Sequence, residues 1–248
     1  MNESVNNLFN FYREIGKSDS AIIKENQDHS IITAEEGRWP QMIFNIDFFR
    51  NSNSQPEEVL ARIMKESKQN FAVCDISNLK SENQSFLRSS GIYPIKTWTL
   101  MEVSPNENTF IQTQQNVEFR ELKKGDELYE FCNLTNSELM GSLKISPVLI
   151  HELAANKKMK FYGLYFRSEL ASIILTYTEK EISGLYFIAT KSEYRGKKLS
   201  ENLIKRVINL LFSQKTEKVV LQAVQKAVPL YTRLGFKPCG NLTIFWKQ

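Results

Sequence analysis

The residues of this chain best suited to chemistry lie in one stretch, ISGLYFIATKSEYRGKKLSENLIKRVINLL. An apolar run closes at Ile188, Ala189 and Thr190. A short polar loop follows with Arg195, Gly196, Lys197 and Lys198, and an amphipathic pattern opens at Leu199 and Ser200. A strand that feeds a helix through a small-residue, basic loop is a physical anion site. The first N–H groups of the helix lack partners, and the helix dipole places partial positive charge at the same spot. Arg195, Lys197 and Lys198 would add side-chain charge, and Ser200 a hydroxyl. On spacing alone, a basic surface turn opening an ordinary helix accounts for the stretch equally well.

The elements that must position this loop can be read from periodicity. Val117 to Leu122 has strand character, and helical patterns run from Asp126 to Leu139 and from Ser146-Pro147 to Asn156, the latter with a capping Ser and a first-turn Pro. Lys160–Phe166, Leu170–Thr178 and Ile182–Thr190 are rich in β-branched and aromatic residues with three-residue gaps, which predicts an antiparallel meander. Leu199, Leu203, Val207, Leu210 and Leu211 form one stripe of a long helix. Lys218–Ala223 is then a strand, Ala227–Leu234 a short helix and Leu242–Trp246 a closing strand, giving the order βααβββαβαβ.

The first half is patterned more weakly. Helices are expected at 4–15, 56–67 and 84–89, and strands at 20–24, 30–34, 42–48, 71–75 and 96–103. Met101 to Val117 is polar and poor in aliphatics until its end, which predicts a linker with a boundary near residue 112. The tails of the halves echo each other. FLRSSGIYPIKTWTLM lies over LYTRLGFKPCGNLTIF with Gly91 over Gly235 and Pro94 over Pro238, which suggests a degenerate structural repeat. Trp39-Pro40 and the Phe44, Phe48, Phe49 group are expected in the core.

Composition narrows the classes. The chain has 248 residues, 42% hydrophobic and 24% charged, enough apolar content for real cores. No apolar run approaches the roughly 18 residues of a spanning helix, and the opening MNESVNNLFNFYREIGK does not have the form of a secretory signal. Cys74, Cys132 and Cys239 are far apart and lack CxxC spacing; with only His29 and His151 besides, no metal site is expected. A cytoplasmic protein without membrane association follows. The net charge of +4 divides unevenly: residues 1–112 hold 11 Lys+Arg against 15 Asp+Glu, and residues 113–248 hold 21 against 13. A basic second half suits an anionic partner or a set of solvated lysines.

With these residues in place, the second half resembles the GNAT superfamily of acyl-CoA-dependent N-acyltransferases. The family's phosphate motif, Arg/Gln-x-x-Gly-x-Gly/Ala, falls on Arg195-Gly196-Lys197-Lys198-Leu199-Ser200. A downstream pattern, Ala-x-x-x-Tyr-x-x-x-Gly-Phe, matches Ala227, Tyr231, Gly235 and Phe236, and the element order is also the family's. The resemblance implies an α+β (mixed α/β) fold with two GNAT-like domains in tandem, each a mostly antiparallel central sheet flanked by helices. Residues 1–112 would be a degenerate, non-catalytic copy and residues 113–248 the N-acetyltransferase domain. It further implies that the backbone of Ile188, Ala189 and Thr190 pairs with the pantetheine arm of acetyl-CoA. The diphosphate would lie on the N–H groups from Gly196 to Ser200, and Tyr231 would be the general acid. A phenol suits that task, since an ordinary pKa of about 10 keeps it protonated at neutral pH. The implied reaction is direct attack of a primary amine on the thioester, with an oxyanion held by an N–H near Thr190.

Two positions depart from the pattern. Lys198 stands where the motif has its first Gly, a residue that permits φ > 0 or close approach to phosphate. Val224 stands where the family often has Asn, with Gln225 beside it. No general base is assigned: Glu181 and Glu193 flank the strand and His151 lies on a predicted helix. The first half places two carboxylates, in NSNSQPEEVLARIM, where phosphates would sit; its expected role is structural, closing one side of the acceptor cleft or mediating assembly such as a homodimer. Two other readings compete with the enzyme: a GNAT-shaped CoA-binding or regulatory module without turnover, and a nucleic-acid binder using the basic half. The last lacks any interleaved basic and aromatic stripe.

Overall fold

A computed structural model describes residues 2–48, 54–67, 69–74, 84–105 and 117–248. The first half contains helix α1 (Glu3–Ile15), strands β1 (Ala21–Glu25), β2 (Ser30–Ala34) and β3 (Gln41–Phe44), helix α2 (Pro56–Glu66), strand β4 (Phe71–Cys74), helix α3 (Gln84–Ser89) and strand β5 (Ile92–Val103). The second half contains β6 (Val117–Leu122), α4 (Gly125–Glu138), α5 (Pro147–Ala155), β7 (Met159–Phe166), β8 (Glu169–Glu179), β9 (Ile182–Thr190), α6 (Leu199–Ser213), β10 (Lys218–Val224), α7 (Val228–Arg233) and β11 (Lys237–Lys247). The second-half order matches the periodicity. The expected boundary near residue 112, most of the linker, Phe49 and Asp75 lie outside the described residues. The linker's first residues, Met101–Val103, belong instead to β5.

Local chemistry explains the element ends. Asn2 caps α1, its side chain accepting from the Ser4 N–H at 2.8 Å, and Ser146 caps α5 by accepting from the Leu149 N–H at 3.0 Å. Arg167 and Ser168 both adopt positive φ between β7 and β8, the backbone a tight hairpin with right-handed strand twist demands.

The eleven strands of the described residues join one sheet in the order β1-β2-β3-β4-β11-β5-β10-β9-β8-β7-β6. Among these strands β3–β4 and β9–β10 pair in parallel and the rest antiparallel, and each parallel pair is bridged by a helix, α2 or α6. The centre of the sheet carries an exchange. β5, from the first half, lies against β10, while β11, from the second, lies against β4. β5 and β11 pair with each other antiparallel, Ile92 opposite Lys247 and Glu102 opposite Lys237. Each strand starts just beyond a glycine at positive φ, Gly91 at 73° and Gly235 at 86°, so the echo in the sequence marks two copies of one turn.

Helix α1 lies on the second half's strands β8, β9 and β10, and on β5. Together with α4 and α5 it covers one face of the sheet in a core that includes Phe11, Tyr12, Phe131, Tyr177 and Tyr186. Helix α6 covers the opposite face through Leu199, Leu203, Ile204, Val207 and Leu211. A third cluster lies under α2, formed by Val59, Leu60, Ile63 and Met64 with Phe48 and Phe245. No helix of the described residues is long and apolar enough to cross a membrane.

Candidate functional site

The site grows from the way β9 and β10 part. They pair only at their starts, Ile182–Gly184 against Lys218–Val220, although β9 runs on to Thr190 and β10 to Val224. Beyond Gly184 the edge of β9 that faces β10 carries no strand partner. The other edge of β9 remains paired with β8 up to Ser172 opposite Thr190. The buried Ser172 hydroxyl donates to the Ala189 carbonyl at 2.8 Å and lies 2.8 Å from the Thr190 hydroxyl, which secures the strand end.

A bulge on β9 assists the parting. The β8–β9 register shifts between Ile173/Ala189 and Leu175/Tyr186, and Phe187 within the shift has φ 49°. An extra residue turns two successive rings to the same side of the sheet. Tyr186 stacks on Phe11 with centroids 4.0 Å apart, and Phe187 meets Trp39 edge-on at 5.3 Å. The continuous apolar run LYFIA in the sequence has no alternation to break, so it gives no sign of this extra residue.

The loop from Lys191 to Lys198 follows, with a single 3-10 turn at Ser192–Tyr194. Gly196 has φ 78° and Lys198, at the N-cap of α6, has φ 58° and ψ 20°. Lys198 thus adopts the left-handed backbone a motif glycine would take freely, and its side chain points no cap at the helix. The first backbone bond into the helix is from the Asn202 N–H to the Lys198 carbonyl, at 3.0 Å. Among the described residues the N–H groups of Gly196, Lys197, Lys198, Leu199, Ser200 and Glu201 have no acceptor. Six such donors at the positive end of a 15-residue helix make an anion cradle.

The side-chain charges differ from the simplest expectation. The exposed Arg195 does not stand free: its guanidinium donates to Glu138, the last residue of α4, which also accepts the Ser192 N–H at 3.0 Å. Sequence periodicity offers no signal for this carboxylate, which arrives from 57 positions away. Lys191 and Tyr194 are held by Glu169, Tyr194 at 2.9 Å and Lys191 at 3.3 Å. Lys197 and Lys198 are exposed and form no ion pair among the described residues. They stand beside the cradle, with Lys198 also close enough to Glu201 to favour its charged form.

Tyr231 sits on α7, 7% exposed, its ring edge-on to Phe236 at 5.8 Å. It shares an apolar cluster with Leu199 and with the half-buried Ile188 and Tyr194, so the fold brings it to the α6 side of β9. Burial pushes the phenol's pKa well above its ordinary value, keeping it protonated across the physiological range. Of the residues weighed as bases, His151 is exposed on α5 beside the Pro147 carbonyl at 2.8 Å, and Glu181 and Glu193 are exposed. Gln225 is exposed in the turn after β10.

The first half lacks the equivalent apparatus. Glu58 reaches back to the Gln55 N–H at 3.2 Å, and the N–H groups of Glu58 and Val59 bond to the Gln55 carbonyl, so the start of α2 is already occupied. The buried Leu87 stands where the repeat places Tyr231. This half does contribute to a cleft of about 580 Å³ against the start of α5, lined by Asp19, Ile22, Glu35, Trp39, Pro147 and Val148. Among the described residues no group of His, Cys, Asp or Glu is arranged to hold a metal ion.

Residues 143–245 match the family model described as an acetyltransferase (GNAT) domain. Among solved structures, a GCN5-related N-acetyltransferase from Kribbella flavida is similar at 10% identity, with a TM-score of 0.68, over 97% of this chain and 95% of that one. Another from Sphaerobacter thermophilus is 12% identical with a TM-score of 0.63, over 96% and 84% of the two chains. A tandem GNAT protein from the clavulanic acid biosynthesis pathway is 9% identical with a TM-score of 0.62, over 96% and 87%. No curated protein matches in sequence. Residues 143–245 therefore match an acetyltransferase (GNAT) domain, whose family carries out acyl-CoA-dependent acetyl transfer in general, and the chain as a whole shares the fold of a tandem GNAT protein.

Proposed function

We propose that the protein is an N-acetyltransferase that moves the acetyl group of acetyl-CoA to a primary amine. One observation carries this: an unpaired strand edge on β9 leads directly into six free N–H groups at the start of α6. An extended, amide-bearing arm ending in a diphosphate matches both parts. Ile188, Ala189 and Thr190 would hold the arm as an added strand, and the backbone from Gly196 to Ser200 the diphosphate, with Lys197 and Lys198 adding charge. The acetyl thioester supplies an activated acyl carbon.

In the reaction, the lone pair of the neutral amine forms an N–C bond to that carbon. A backbone N–H near Thr190 steadies the carbonyl oxygen as it gains charge. The C–S bond breaks, the departing thiolate takes the Tyr231 proton, the amine nitrogen gives a proton to water, and water returns one to the Tyr231 phenolate. The first half would close one side of the acceptor cleft, the candidate being the one lined by Trp39, which packs on Phe187 in the β9 bulge. Residues 1–112 and 113–248 are then a structural and a catalytic unit.

Calorimetric titration with acetyl-CoA tests this reading, followed by thiol release with a panel of primary amines. Saturable binding is expected, lost in an Arg195→Ala, Lys198→Glu double variant. No binding by the native chain at high micromolar ligand would remove the enzyme assignment.

A further inference from the structure

The strand edge that would take the pantetheine arm and the cradle that would take the diphosphate are joined by only residues 191–195. Their mutual angle is therefore set by whatever fixes those five residues. Two carboxylates from other elements do so. Glu169 holds Lys191 and Tyr194 from the β8 side. Glu138 spans the turn from the other, Oε1 accepting the Ser192 N–H at 3.0 Å and Oε2 accepting from Arg195. The Glu138 side chain is 13% exposed and that of Arg195 60%, so the carboxylate is the fixed partner and the guanidinium the one that reaches.

Glu138 is itself braced. It lies at the corner between α4 and α5, where the Lys144 ammonium donates to the carbonyls of Asn136 at 3.0 Å and Met140 at 3.2 Å. The Asn136 side chain exchanges two hydrogen bonds with the Ile145 backbone, at 2.9 and 3.0 Å. From the other half, the Trp39 N–H donates to the Lys144 carbonyl at 3.0 Å and the Lys144 N–H to the Gly37 carbonyl at 3.4 Å. The degenerate half thus supports the corner that carries the clamp.

We propose that Glu138 is a positioning residue for the acyl donor: by tying Ser192 and Arg195 to the end of α4 it sets the open edge of β9 at the angle to the Gly196–Glu201 cradle that one ligand needs to span both. This rests on the reading that these two regions hold the two ends of acetyl-CoA, neither of which Glu138 touches. The sign of its effect is diagnostic. An anionic carboxylate close to a polyanion site opposes binding by charge alone, so deleting it should tighten binding unless geometry is its purpose.

Affinities for acetyl-CoA and for ADP, which needs only the cradle, are to be measured by calorimetry in the full chain, with thermal unfolding as a check. Glu138→Ala is expected to weaken acetyl-CoA about tenfold while changing ADP less than about twofold, since misplacement penalises a ligand that must satisfy both regions at once. Glu138→Gln keeps an acceptor for Ser192 and is expected within about threefold of the native value. Glu138→Asp keeps the charge but is one methylene too short to bridge both partners, so it is expected to lose about fivefold and serves should the alanine variant fail to fold. Unchanged or tighter acetyl-CoA binding in the Ala and Asp variants overturns the proposal, as does an equal loss for ADP, which would mean that the cradle itself had collapsed. Absence of acetyl-CoA binding in the native chain overturns the donor reading and this inference together, whereas native binding with indifferent variants overturns this inference alone.

Discussion

Tyr231 and Lys198 carry the sharpest consequences at the scale of single residues. Burial raises the Tyr231 pKa above its ordinary value, so the phenol remains a proton donor through and beyond pH 9. Tyr231→Phe should lower kcat by about 10² or more while leaving acetyl-CoA affinity near native, because a general acid acts on the transition state. The native pH–rate profile should show no alkaline decline below about pH 10 that Tyr231→Phe abolishes; such a decline would show that the phenol titrates near its ordinary value despite its burial. At Lys198 the left-handed backbone costs a β-carbon-bearing residue about 1–2 kcal/mol, partly offset by the greater unfolded-state freedom of glycine. Lys198→Gly is therefore expected to raise stability by up to about 1 kcal/mol, read from denaturant midpoints. A loss of stability would show that the lysine side chain contributes more than its backbone costs.

Among the elements, α1 draws many of its partners from the second half. Glu14 accepts from Lys17, Asn156 and Lys158 at 2.8, 3.1 and 2.9 Å, and Lys158 continues to Glu179 at 3.0 Å, which also accepts from Asn10 at 2.6 Å. Burial acts to raise the pKa of both carboxylates, but these hydrogen bonds and the Lys158 charge outweigh it and hold both below the ordinary carboxylate range. Groups with depressed pKa contribute stability above their unfolded values of about 4 and lose it as pH falls through the folded ones. The melting temperature should accordingly be flat from neutrality down to about pH 5 and then drop, with Glu14→Gln reducing both the neutral stability, by about 1 kcal/mol, and the acid drop. An acid profile identical in the variant would show that other carboxylates govern it.

The whole molecule is organised by the exchange of β5 and β11. A second half on its own would leave β10 without the neighbour that pairs with Val219–Val224, and would strip α1 from the aromatic face of β8 and β9. Open backbone donors and bare apolar surface are both costly. Fragments 1–112 and 113–248 expressed separately should therefore lack cooperative unfolding, and produced together they should associate into a complex that melts as one. A sharp transition for 113–248 alone, by circular dichroism, would show that the exchange is dispensable.

Much was determined by the sequence alone. The second-half elements follow from periods of 2 and 3.6, which are properties of adjacent residues. Gly91 and Gly235 mark equivalent turns because only glycine takes positive φ without a steric penalty, and Pro147 and Ser146 mark a helix start for equally local reasons. The loop after β9 and Tyr231 were likewise legible as a pattern of residue types. Tertiary structure decided the rest. Which strand neighbours β10, and that α1 crosses to the other half, depend on contacts between residues more than a hundred positions apart. The pairing of Arg195 with Glu138 places a charge that residue type left free, and the bulge at Phe187 hides inside an unbroken apolar run. Lys198 belongs to both: the sequence shows that a glycine is missing, but only packing, which sets φ at 58°, shows that the lysine takes the glycine's backbone and leaves the six N–H groups free.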